Sequence, residues 1–150
     1  MHTVKHLKDS SSQPSQKRQL QIGIRGYIPA MLLASLLGTY LDLYFIGNHF
    51  YSFPLRPLPS IFSINILFTL AVLPITMMIL LIILQRLKGW LKGLFVLCIS
   101  VAMAAMEKMA ETMGMFVHAD HWNHLYTFVG YCLFIGLIAT FHEWMKFRTK

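Results

Sequence analysis

A chain of 150 residues has room for one domain, and 56% hydrophobic against 13% charged residues takes it outside the range of soluble domains. A net charge of +7 would suit nucleic acid, but the basic residues cluster at the ends of long apolar runs, as they do in membrane proteins. Four such runs of about 20 residues match a hydrocarbon core of about 30 Å, and none carries the polar stripe of period 3.6 that a soluble bundle needs. Nucleic acid is thereby excluded as a partner. The predicted fold is all-α: an integral-membrane four-helix transmembrane bundle with a short disordered basic N-terminal tail.

Residues 1–26 are polar, Ser- and Gln-rich and basic, a composition that cannot bury a core and predicts a disordered cytoplasmic tail. Its end, 17–27, suits anionic headgroups, at about 1 kcal/mol of attraction per Lys or Arg. A cleaved signal peptide is the rival, disfavoured because the apolar run that follows is long and lacks a small-residue cleavage site. The transmembrane domain, 27–147, opens with span 1 at about 27–47, where Pro29 falls in the first turn and its missing N–H does no harm. Ala30, Ala34 and Gly38 recur every four residues, a small-residue face that lets another helix approach closely. Asp42 lies near the far end of this span.

The loop 48–60 offers Phe50, Tyr51 and Phe53 as interface aromatics. Its segment PLRPLP reads as a rigid connection rather than a polyproline ligand. Span 2, about 61–84, carries Asn65, Thr69 and Thr76 roughly along one face. Pro74 should kink it, freeing a backbone carbonyl that a neighbour must satisfy. The link 85–92 holds Arg86, Lys88, Trp90 and Lys92; span 3 follows at about 93–116, then the loop VHADHWNH, then span 4 at about 125–145 and the tail KFRTK. His142, beside Glu143 and Trp144, reads as an interfacial anchor. Cys98 and Cys132 fall at different depths, which forbids a disulfide between them.

Lys and Arg number eleven in the tails and the middle link, against Arg56 alone in the two opposite loops. By the positive-inside rule both termini are cytoplasmic.

Span 3 holds Glu107, Lys108 and Glu111 inside an apolar run, and ionisable residues at membrane depth are costly enough to mark function. At about 100° per residue, Ser100, Ala104, Glu107, Glu111 and Gly114 share one sector, with Lys108 on its border. Counting about 1.5 Å per residue from the outer end puts Glu111 about 7 Å deep and Glu107 about 14 Å, with Asp42 and Asn65 near the depth of Glu111. One outer-leaflet polar layer of Asp42, Asn65, Glu107, Lys108 and Glu111 follows. It reads as a structural clasp, Lys108 bridging Glu111 and Asp42, or as a proton or cation site. The outer loop adds His118, Asp120, His121 and His124, donors that suit a transition metal, although their spacing matches no established motif. No nucleophile elbow, phosphate-binding glycine loop or zinc-protease helix motif is present, so no enzyme and no cofactor is expected.

GTYLDL (38–43), YSFPLRPLP (51–59), IFSINI (61–66), Pro74, EKMAE (107–111), Trp122, Gly130-Tyr131 and Trp144 form a package covering roughly 27–146. In these residues the chain resembles an uncharacterised family of small four-span membrane proteins common in endospore-forming Gram-positive bacteria. The resemblance implies a bacterial plasma-membrane protein of the same architecture and brings no activity or site with it. The function expected first is therefore a non-enzymatic partner or scaffold in a membrane assembly, with a membrane protein or a second copy of the chain as partner. The alternative is a small proton- or cation-coupled transporter or sensor that uses the buried carboxylates.

Overall fold

Within the apolar runs only Pro29 and Pro74 lack a backbone donor, so each run can close its own hydrogen bonds as a helix. The structure, a computed structural model, describes residues 23–119 and 122–148. Residues 1–22, most of the stretch expected to be a disordered tail, lie outside the described residues; 23–25 form a helical turn that leads into the first span. Four helices follow, α1 (Ile28–Gly47), α2 (Phe68–Arg86), α3 (Leu91–Thr112) and α4 (His124–Arg148). All are long and apolar enough to cross a membrane. Two short strands, β1 (Tyr51–Ser52) and β2 (Val117–His118), pair between the loops.

Two of these boundaries differ from the expected ones. Residues 61–65 are turn and bend rather than the start of span 2, and Asn65 Oδ1 accepts the Phe68 N–H at 3.2 Å, the hydrogen bond of a helix cap. Span 3 stops at Thr112, short of the expected 116. Gly114, at φ +72°, turns the chain into the left-handed region. The Gly114 and Met115 N–H groups then return to the carbonyls of Glu111 (2.9 Å) and Ala110 (3.0 Å), the glycine-terminated stop that spares the last carbonyls.

Pro74 acts through the turn before it. Phe68–Val72 is wound as a π-helix, in which the N–H of residue 74 would meet the carbonyl of Thr69. Proline has no such N–H, and Ser35 Oγ of α1 donates to that carbonyl instead, at 2.8 Å. The freed carbonyl thus becomes a fastener between helices.

The core lies between α1, α2 and α4, where Ala30, Ala34, Met77, Leu81, Ile135 and Ile138 are buried. A Cβ on Gly38 would stand 2.3 Å from Leu73 Cδ2, so α1 and α2 meet closely there and a side chain at 38 would have to displace Leu73. α3 leans chiefly on α4 and buries Ser100 alone, while Met106, Met109 and Met113 are exposed. At the end opposite the strands, Tyr27 Oη donates to Gln85 Oε1 at 2.9 Å, and Gln85 Nε2 pairs with His142 Nε2. The His142 ring stacks on Tyr27 at 4.8 Å and is 1% exposed. His142 is therefore an interior tie among three helices and not the interfacial anchor expected from its neighbours. Cys98 and Cys132 are both free thiols.

Candidate functional site

At the strand end, Tyr51 pairs with His118 and Ser52 with Val117, and the Ala119 N–H adds a bond to the Phe50 carbonyl at 2.9 Å. Directly opposed residues in an antiparallel pair project to the same face, so the ladder aims Tyr51 and His118 together into the bundle. The His118 ring stands between Phe116, edge-on at 4.5 Å, and Trp122, stacked at 5.0 Å. Aromatic rings thus wall off one side of a polar cluster.

Asp42 reaches the cluster from α1. Its Oδ1 accepts a hydrogen bond from Tyr51 Oη, and its Oδ2 is buried with no hydrogen-bond partner among the described residues. Burial, reinforced by the Asp42 carboxylate, pushes the Tyr51 phenol well above its ordinary pKa and keeps the donated proton in place.

Glu107 comes from α3. Its Oε1 accepts from Thr127 Oγ1 at 2.8 Å and its Oε2 from Tyr131 Oη at 3.1 Å, both on α4. Trp122 Nε1 donates in turn to Thr127 Oγ1 at 3.0 Å. His118 Nε2 lies 2.9 Å from Glu107 Oε1, but the ring is turned so that this nitrogen makes no directed hydrogen bond. The other ring nitrogen, Nδ1, lies 3.3 Å from Glu111 Oε1, and His124 Nε2 lies 3.9 Å from Glu111 Oε2.

Two cavities flank the carboxylates. One, of about 180 Å³, is lined by Asp42, Tyr51, Glu107, His118, Thr127 and Tyr131 among others. The second, of about 280 Å³, shares Asp42, Tyr51, Glu107 and Tyr131 and adds Asn65 and Phe116. Asp42 and Glu107 therefore line both cavities.

Of the residues expected in one polar layer, Asp42, Asn65 and Glu107 line these cavities. Glu111 joins at the rim through His118 and His124, with 32% of its side chain exposed. Lys108 does not join. It is exposed, about 100° around the helix from Glu107, and it bridges no carboxylate among the described residues. The clasp expected around a lysine is thus corrected: tyrosine and threonine hydroxyls and two histidines take its place. Arg56, the cation of the loop between α1 and α2, is occupied with the carbonyls of Phe53, Pro59 and Phe62.

Of the loop donors, His118 and His124 face the cluster, while Asp120 and His121 lie outside the described residues. Tyr51, Thr127 and Tyr131 were not singled out from the sequence as site residues. Their only signal was hydroxyl groups at the same end as Asp42 and Glu107. Comparison with protein-family models, with curated proteins and with solved structures gives no match.

Proposed function

We propose that the protein is a non-enzymatic multi-pass membrane protein that takes up a cation, or protons in its stead, between Asp42 and Glu107, and so works as a small cation- or proton-coupled sensor or carrier. One observation carries this reading. Asp42 Oδ2 is buried and unpaired, beside two cavities where no Lys or Arg among the described residues offsets the carboxylates. A purely structural clasp satisfies its polar atoms, because an unmatched buried acceptor costs stability. Carboxylate and hydroxyl oxygens suit a hard ion such as an alkali or alkaline-earth cation.

The test is thermal unfolding of the purified chain in detergent, titrated with Na⁺, K⁺, Mg²⁺ or Ca²⁺ at fixed ionic strength. One of them should raise the midpoint saturably, since a ligand at a hundredfold its Kd adds about 2.7 kcal/mol. Asp42→Asn should abolish that rise while leaving the apo protein folded. A midpoint that ignores every cation and pH would return the protein to the partner-or-scaffold reading.

The same proposal places the chain in a bacterial plasma membrane with both termini cytoplasmic. The orientation is supported by the eleven-to-one bias of Lys and Arg toward the tails and middle link, and the membrane placement by four helices long and apolar enough to cross a bilayer together with the resemblance to small four-span bacterial membrane proteins. Cysteines introduced at Ser60 or Asn123 should then react with an impermeant thiol reagent on intact cells of a variant lacking Cys98 and Cys132, and one at Gln13 should not. Labelling in the opposite pattern would invert the topology and put the carboxylates nearer the cytoplasm.

A further inference from the structure

We infer that Glu107, His118 and His124 form a binding site for a divalent transition-metal ion of the zinc class. This goes beyond the chamber between Asp42 and Glu107, with which it shares Glu107 and the wall residue His118 but not Asp42, and it adds His124 as a ligand. One ligand atom from each of the three residues falls within 4.8 Å of the others. Ligands at about 2.0–2.1 Å around a tetrahedral ion stand roughly 3.4 Å apart, so modest side-chain rotations close the set around a metal.

A second observation is independent of that spacing. His118 Nε2 and His124 Nδ1 are both buried without a hydrogen-bond partner, and the His118 side chain is only 4% exposed. Their other nitrogens, His118 Nδ1 and His124 Nε2, are the ones turned to Glu111, at 3.3 Å and 3.9 Å. That division is the one a metal site requires. At His118 the carboxylate lies within hydrogen-bond distance of Nδ1, which selects the tautomer and holds the ring with the opposite nitrogen free to ligate; at His124 the same carboxylate stands beyond hydrogen-bond reach and faces Nε2, the nitrogen opposite the unpartnered one. Stacking on Trp122 holds the His118 plane as well. Glu111 is accordingly a positioning residue rather than a ligand. Two imidazoles and one carboxylate are borderline donors that favour Zn²⁺, Co²⁺ or Ni²⁺ over Mg²⁺ or Ca²⁺. With three protein ligands, the fourth position of a tetrahedral ion stays open to water or a further ligand.

The test uses the full chain in mild detergent, stripped of metal and titrated with Co²⁺. A single saturable Co²⁺ per chain should appear, with visible absorption bands of a low-coordinate site that Zn²⁺ erases by displacement. His124→Ala should weaken Co²⁺ binding at least tenfold; this histidine is 42% exposed in its side chain, so its loss leaves the fold in place. Glu111→Gln should weaken binding about 10- to 100-fold while the shape of the spectrum stays the same, the signature of lost orientation. His49→Ala, in the neighbouring loop, should leave affinity and spectrum unchanged. Absence of saturable Co²⁺ binding, or binding that survives His124→Ala undiminished, overturns the assignment. Stabilisation by Na⁺ or Mg²⁺ that requires Asp42, with no saturable Co²⁺ binding, would refute the metal site and leave the chamber reading standing; saturable Co²⁺ binding lost in His124→Ala, with no stabilisation by Na⁺, K⁺, Mg²⁺ or Ca²⁺, would do the reverse.

Discussion

Replacing Glu107 by alanine should destabilise the protein by about 3–5 kcal/mol, while Lys108→Met, one residue on, should stay within about 0.5 kcal/mol of the wild type. Glu107 is 15% exposed in its side chain, and its two oxygens are the acceptors for Thr127 Oγ1 and Tyr131 Oη. Alanine strands both hydroxyls at once, and each buried polar group left unmatched costs about 1–3 kcal/mol. Glutamine keeps one acceptor oxygen and should fall between. Lys108 is exposed and bridges no carboxylate among the described residues, so methionine there removes nothing the fold uses. Unfolding by SDS in mixed micelles would measure all three. A Lys108→Met variant as weak as Glu107→Ala would mean that the ammonium is part of the cluster after all.

A second large effect is expected at the seam of α1 and α2. Ala34 is 0% exposed and Ala30 1%, and one turn on, a Cβ on Gly38 would have to displace Leu73. Helices in a bilayer gain little from apolar burial as such and adhere by close packing and hydrogen bonds. Ala34→Leu therefore acts as a wedge. It should cost about 3 kcal/mol, the upper part of the range for overpacking, and it should also pull Ser35 Oγ away from the Thr69 carbonyl. Leu32→Ala is the matched control, on a side chain that is 65% exposed, and should shift unfolding by no more than about 0.5 kcal/mol. The same mixed-micelle titration reads both, and equal stability of the two variants would show that the seam is looser than its geometry indicates.

The helices were legible because a membrane span has a length requirement that composition alone meets. The small-residue stripe of Ala30, Ala34 and Gly38 and the freed carbonyl near Pro74 were legible for the same kind of reason, each following from a single residue's sterics. Asp42, Glu107 and Glu111 stood out because a carboxylate in an apolar run is expensive. Their partners did not stand out. Two-residue strands are too short to show a period of two, so nothing local announced that Tyr51 and His118 would face each other. Thr127 and Tyr131 are ordinary residues of an apolar helix until α3 turns Glu107 toward them. Lys108 was misjudged because its place on the border of the polar sector was taken as within reach: a shared level does not bring side chains together when they leave the helix about 100° apart. His142 was read from Glu143 and Trp144 beside it, although its environment is made by Tyr27 and Gln85, far away in sequence.

The ladder between the two loops makes the spacing of those loops matter by parity. Surface connections usually absorb extra residues at little cost. Here, one residue inserted between Gly114 and Val117 would reverse which side of the strand His118 occupies, because alternate residues point to opposite faces. It would swing out toward solvent while Ser100 and the rest of α3 stayed where they were. Two inserted residues would restore the facing and leave only a looser turn. The connections at this end are thus tolerant in even steps and intolerant in odd ones, a restriction borne by a pairing of two residues on each side.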